Sequence, residues 1–250
     1  MIPAIFIGHG SPMNAIQDDP TTQKWVEVVN GILKPTAIVV ISAHWLTKGT
    51  MITGASSLKT IHDFGGFPEE LFAKQYPASG HPELAEELAK ILGAKIDTQY
   101  GLDHGAWSIL AQIYPKADIP VVQLSLDYAK TTEQHFELAK KLIFLRDLGV
   151  LILGSGNIVH NLGLIDWTGG ESEWAVDFNQ KIVENIQARN LQNLINYERY
   201  GEIARKSVPT PEHYWPLIYV IGASKPEDKI EIFNNEVVMG SLSMTCVKFG

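Results

Sequence analysis

The chain has almost no cysteine. Cys246 stands alone among 250 residues, so no intrachain disulfide can form and no cysteine-based zinc motif exists. Basic residues are scarce too: 20 Lys and Arg stand against 28 Asp and Glu, a net charge of −8, with no dense cationic run. That balance excludes a phosphate-tracking surface, and nucleic acid is not expected as a partner. No apolar run approaches the length that spans a bilayer, so no membrane span is expected. The opening MIPAIFIGHG carries no basic segment ahead of its apolar stretch and does not read as a signal peptide; the expected location is the cytoplasm. Nucleotide signatures are missing as well. GSGN at 154–157 is too short and misplaced for a dinucleotide fingerprint, it is not a GxSxG elbow, and no P-loop occurs. Ser155 is therefore a poor candidate nucleophile. Nothing in the sequence speaks to oligomeric state.

What is present is a chain 45% hydrophobic and 19% charged, able to bury a sizeable core. Apolar runs alternate with helical periods. Strands are expected at 3–8, 36–43, 50–54, 94–99, 120–126 and 150–154, the second a β-branched run suited to burial on both faces. Helices are expected at 21–33, 82–92, 107–113 and 132–148, with Thr131 or Thr132 as the cap of the last, and helical character continues from Trp174 to Ala204. The tail from Lys229 to Phe249 alternates and reads as a hairpin turning at NNEV. Between 63 and 82 lies a loop rich in Gly, Pro and aromatics holding one short helix. The expected fold is α/β: a single domain over 1–250, with a central mostly parallel or mixed sheet and helices on both faces.

Eight histidines give this frame a chemical direction. His9 and His44 close strands, His160 follows a strand and a glycine turn, and His104 and His213 open helices. In α/β sheets, ligands gather outside the carboxyl ends of the strands, and imidazole is the commonest metal ligand. His81 at a helix start and His135 on a polar helical face read as structural. His62, inside the aromatic loop, is intermediate. Gly154 and Gly156 read equally well as turn residues or as points of close backbone approach. Cys246 reads as a small buried hydrophobe.

Seven blocks then carry a resemblance: HGSPMNAI at 9–16, SAHW at 42–45, HDFGGFPEELF at 62–72, YPASGHPELA at 76–85, LDHGAW at 102–107, GSGNIVHNL at 154–162 and TPEHYWPL at 210–217. In this order the chain resembles the class III extradiol ring-cleavage dioxygenases of the LigB superfamily, and within it the 4,5-DOPA extradiol dioxygenase group. The resemblance implies His9, His44 and His213 as metal ligands. It implies His160 as acid/base, close enough to be a fourth ligand when zinc is bound. His104 becomes a second active-site histidine, with Asp103 a weak candidate to orient it, and His62, Phe64, Phe67 and Pro68 become a wall of the substrate pocket. The wider superfamily holds iron with two histidines and a carboxylate; here the third position is His213. Glu212 is adjacent, but neighbours on a helix point about 100° apart, so both do not ligate one ion.

Three neutral imidazoles leave a divalent charge unbalanced, which favours a catecholate ligand. The resemblance implies Fe(II) for activity, while the ligand set and the Irving–Williams order favour Zn(II) in purified protein. The implied activity opens a catechol ring next to its two hydroxyls with O2. Two alternatives use the same histidines: a zinc-dependent hydrolase and a non-catalytic metal-binding module. L-DOPA as substrate follows from likeness alone; a caffeate-like or protocatechuate-like catechol fits equally. Arg205 is the one arginine near the TPEH block, so a substrate carboxylate has no clear partner.

Overall fold

Side chains of a strand alternate between faces, and here that alternation splits apolar runs between two cores. The computed structural model describes residues 1–250. In chain order the elements are β1 (Ala4–Gly8), α1 (Pro20–Asn30), β2 (Ala37–Thr47), β3 (Met51–Thr53), α2 (Glu69–Ala73), α3 (Pro82–Leu92), β4 (Lys95–Asp97), α4 (His104–Ile113) and β5 (Val121–Asp127). They continue with α5 (Thr132–Lys140), β6 (Val150–Gly156), α6 (Glu173–Gln187), α7 (Leu191–Ile195), α8 (Glu202–Ser207), α9 (Trp215–Gly222), β7 (Ile230–Phe233), β8 (Val237–Val238), β9 (Leu242–Ser243) and β10 (Cys246–Phe249).

Eight strands form one mixed sheet in the order β4-β3-β5-β2-β6-β1-β10-β7. The inner four, β5-β2-β6-β1, are parallel, while β10 and β7 join antiparallel on one side and β3 joins β5 antiparallel on the other. Ala4, Phe6, Val39, Ile41, Val122 and Ile152 face one core, with Leu88, Leu138, Phe178 and Ile218 from α3, α5, α6 and α9. Ile5, Ile7, Ile38, Val40, Leu151 and Leu153 face the other, with Trp25 of α1 and Trp107 of α4. The expected single α/β domain with helices on both faces is what forms, and Cys246 is buried in the second core.

Local chemistry sets the helix starts. Asp19 and Thr22 make a reciprocal cap ahead of α1, and Thr131 with Gln134 does the same for α5, each satisfying otherwise orphaned N–H groups.

Several expected elements differ. The long helix at 132–148 stops at Lys140 and resumes as a 3-10 turn over Ile143–Arg146. The Arg146 side chain is fully buried and donates to the Ile2, Ala223 and Phe249 carbonyls, which pulls the chain off the helical path. The stretch 174–204 breaks at Asn190, Asn196 and Gly201. The tail is a nested pair: β7 pairs with β10, and between them β8 and β9 make a separate small sheet. NNEV leads out of β7, while the inner turn is at Met239–Gly240, both with positive φ (50° and 72°). Finally, β2 does not end at His44. It runs to Thr47, with its register against β5 broken between Ile41 and Leu46. Such a break re-aims the side chains inside it, and His44 is one of them.

Candidate metal centre

The five histidines, two expected to close strands, one to follow a strand and two to open helices, are assembled at one pole by different devices. His9 follows β1, and His44 lies in the irregular part of β2. His104 is the first residue of α4, whose cap is Asp103. His213 ends a 3-10 turn, Pro211–His213, so α9 begins two residues later than the sequence suggests. His160 lies four positions after the end of β6 and is held by its backbone N–H to the Ser207 carbonyl, 2.8 Å.

Gly154 and Gly156 explain how His213 gets there. They lie inside β6 rather than in a turn. A Cβ on Gly156 would stand 2.2 Å from the His213 carbonyl oxygen, and one on Gly154 2.6 Å from that of Pro216. The bare strand lets the turn lie on the sheet, where Asn157 N–H donates to the His213 carbonyl at 2.8 Å.

The hydrogen bonds assign the ring protons. Ser155 donates its hydroxyl to the Gly105 carbonyl, 2.6 Å, so towards His9 Nδ1, at 2.9 Å, it can only accept. His9 therefore carries its proton on Nδ1 and presents a bare Nε2. His213 donates from Nδ1 to Glu212 Oε1 at 3.3 Å, and its Nε2 is buried with no partner. His9 Nε2 and His44 Nε2 are 3.2 Å apart. Two ligands on one ion with metal–nitrogen bonds of 2.0–2.1 Å sit about 3.0–3.4 Å apart. Ligand nitrogens of His9, His44 and His213 all lie within 4.8 Å of one another. An orphaned buried nitrogen beside two imidazole nitrogens at this spacing is what a cation between them would satisfy, so the residues fit a metal ion.

Burial keeps these rings neutral. Desolvation drives His9 and His213 well below the ordinary imidazole value, and neighbouring histidines push the same way. His44 falls to about 3 through burial and the nearby His104, against the pull of Asp63. Burial also takes His160 down to about 4, with Glu212 opposing. The His160 ring lies flat on His213, centroids 3.4 Å apart and planes within 5°. His104 packs on His44 at 3.9 Å.

The aromatic loop is brought in unevenly. Phe64 stands edge-on to His104, 5.7 Å between centroids, and Phe67 packs one ring further out against Phe64 at 5.3 Å. His62 is hydrogen-bonded to the Lys74 carbonyl, 2.9 Å. Pro68 is exposed where α2 begins. His135 is fully buried, not on a polar face, with Nδ1 3.1 Å from the Tyr219 hydroxyl.

Two residues at the site were not singled out by sequence. Ser155, set aside as a nucleophile, orients His9. Asp63 accepts from the His104 backbone N–H at 2.9 Å, and its other oxygen is 2.9 Å from His104 Nδ1. Those contacts hold its carboxyl below the usual range although burial pushes it up. Asp103 is occupied elsewhere, accepting from Ser42, Gln123 and Ala106. The block HDFGGF holds the signal for Asp63, masked by the aromatic residues beside it.

Three neutral imidazoles converging at the carboxyl ends of parallel strands, with two further histidines against them, define a metal-dependent enzyme centre. Residues 3–249 match the family described as the catalytic LigB subunit of aromatic ring-opening dioxygenase, and the chain belongs to that family. It is 45% identical to the 4,5-DOPA dioxygenase extradiol of Escherichia coli (strain K12), over 100% of this chain and 95% of that one. It is 36% identical to the protein of the same name from Beta vulgaris, over 98% and 95%. A crystal structure of an uncharacterized protein from Escherichia coli K12 superposes with a TM-score of 0.87 at 40% identity, covering both chains fully. No helix is long and apolar enough to cross a membrane.

Proposed function

We propose that the protein is an extradiol dioxygenase that opens the ring of a catechol such as L-DOPA next to its hydroxyl pair, consuming O2. The carrying observation is the triad of neutral imidazoles, His9, His44 and His213, with the orphaned Nε2 of His213 among them. Relatives named 4,5-DOPA dioxygenase extradiol favour this reading over a zinc hydrolase or a silent binding module, and favour L-DOPA as the first substrate to test.

In this reading His9, His44 and His213 hold Fe(II), which when bound supplies the redox chemistry joining catechol to O2. Zn(II) suits the same nitrogens and is the ion we expect in purified protein. His160 is neutral at pH 7 and so is ready to accept a catechol proton and return it later. His160 lies outside the group of mutually close ligand nitrogens, so serving as a fourth zinc ligand would require its ring to move. His104 approaches from the other side, beside His44. Phe64 and Phe67, with His62 and Pro68 further along the loop, form the wall against which an aromatic ring would pack. The cytoplasm is the proposed location.

The test is anaerobic reconstitution with Fe(II), then L-DOPA and O2, followed by the absorbance of a yellow ring-opened product. Product with iron, and none with zinc or with His160→Ala, is expected. Absence of product from iron-loaded protein with L-DOPA and a panel of simple catechols would overturn the reading.

A further inference from the structure

We propose that Asp63 is the positioning residue of His104, fixing its ring and its tautomer so that the proton stays on Nδ1 and Nε2 is left as the bare acceptor. The role rests on the ring-cleavage reading, because it gives His104 a defined task there; the tautomer itself does not depend on it.

The geometry is specific to one carboxylate. One Asp63 oxygen takes the His104 backbone N–H at 2.9 Å, and the other stands 2.9 Å from Nδ1 of the same residue. A hydrogen bond to the backbone and close contact with the ring of the same residue limit how far that side chain can turn. A carboxylate can only accept, so the nitrogen beside it must carry the hydrogen. That nitrogen is buried and makes no straight hydrogen bond to any group, Asp63 included; the carboxylate oxygen stands at hydrogen-bonding distance, 2.9 Å, but off the N–H direction. Asp103, the sequence neighbour, cannot take the part. Its oxygens are used by the Ser42 hydroxyl at 2.7 Å, the Ala106 N–H at 3.1 Å and the Gln123 amide.

Phe64, the next residue, meets the same ring edge-on. Consecutive residues of the loop thus bracket His104, one electrostatically and one by packing. The loop is an arm that sets a catalytic histidine as well as a wall for substrate. Carboxylates that hold the far nitrogen of a functional imidazole are a recurrent way to fix its tautomer. His160 lacks such a partner and is held instead by its stack on His213.

One competing arrangement uses the same atoms. Ligand atoms of His44, Asp63 and His104 also lie within 4.8 Å of one another and would suit a cation directly.

The experiment is nitrogen NMR of imidazole-labelled, zinc-loaded protein, with Asp63→Asn and Asp63→Glu variants, alongside metal content and melting. Wild type is expected to show His104 protonated on Nδ1. Asp63→Asn, whose amide can donate to that nitrogen, is expected to move the proton to Nε2 while metal content and melting stay unchanged. With iron, Asp63→Asn should lower kcat by about 10–100-fold and leave KM within about twofold, and Asp63→Glu should recover part of the loss. An unchanged tautomer in Asp63→Asn, a loss of bound metal, or a fall in melting that tracks kcat would each overturn the assignment. If the tautomer shifts as expected while wild-type iron protein opens no ring, the dioxygenase reading fails and the Asp63–His104 assignment stands.

Discussion

Two buried polar clusters sit near opposite ends of β1, and they are built on opposite rules. At its amino end Arg146 is completely enclosed. Its guanidinium donates to the carbonyls of Ile2, Ala223 and Phe249 and to both oxygens of Asp228, at 2.5–3.0 Å. Every donor has an acceptor, and Arg146 holds the Asp228 carboxyl below its usual range despite the burial that opposes it. At the carboxyl end the histidines are left incomplete, with His213 Nε2 bare and two imidazole nitrogens facing each other. A finished network fixes a fold, whereas an unfinished one is poised for something the chain does not contain. A single orphan is not enough to mark a site, since Trp25 Nε1 and His135 Nε2 are also unpartnered. The distinguishing feature is an orphan set among other imidazole nitrogens, with the ligand atoms of His9, His44 and His213 all within 4.8 Å of one another.

The contrast breaks most sharply at His213. His213→Ala should abolish metal retention, read by elemental analysis, and reduce ring cleavage by more than the roughly 10–100-fold seen when a group that merely orients a ligand is lost. Its melting without metal should hold or rise, because a desolvated imidazole is gone. At the other pole Arg146→Ala strands the Asp228 carboxylate in the interior, and unfolding in urea should show a loss of about 3–5 kcal/mol. Metal content per folded molecule should be unchanged. A variant at either pole that moved both readouts together would show the clusters to be coupled rather than separate.

A smaller effect sharpens the same comparison through pH. His135 belongs to neither cluster, and burial lowers it from 6.5 to about 4, with Asp127 opposing. Because the unfolded chain binds this proton first, its contribution to stability is complete above about pH 6.5 and is lost as pH falls towards 4. At about 1.4 kcal/mol per unit, wild type should lose roughly 2 kcal/mol more than His135→Gln between pH 7 and 5 in urea melts. Equal losses in both proteins would contradict a neutral buried imidazole.

How much of this was legible in the sequence depended on whether a residue's role shows in its neighbours along the chain. His9 and His44 end β-branched runs, so their pole could be read directly. Gly154 and Gly156 could not be resolved between turn and close approach, because what approaches them is Pro216 and His213, about sixty positions later. Asp63 and Ser155 were obscure for a related reason: aspartate and serine are common in loops, and only the fold brings them against an imidazole. Arg146 falls inside the helix expected over 132–148. Its capture by carbonyls from residues 2, 223 and 249 ended that helix through contacts no local pattern contains. The nested tail misled in the same way, since alternation specifies strands but not which strand each one meets.

The place of β1 in the sheet has a consequence for how the protein comes into being. β1 is synthesised before the strands it pairs with: β6, where Ala4 meets Ile152, and β10, where Ala4 meets Phe249. On the ribosome one edge stays bare until residues 150–156 have emerged and the other until residues 246–249 have, and contacts of such sequence separation make for slow folding. The candidate metal nitrogens follow the same timetable: two are made within the first 44 residues and the third only at 213. An ion caught early would meet half a site on a loose strand, so complete metal loading belongs to the finished protein rather than to the growing chain.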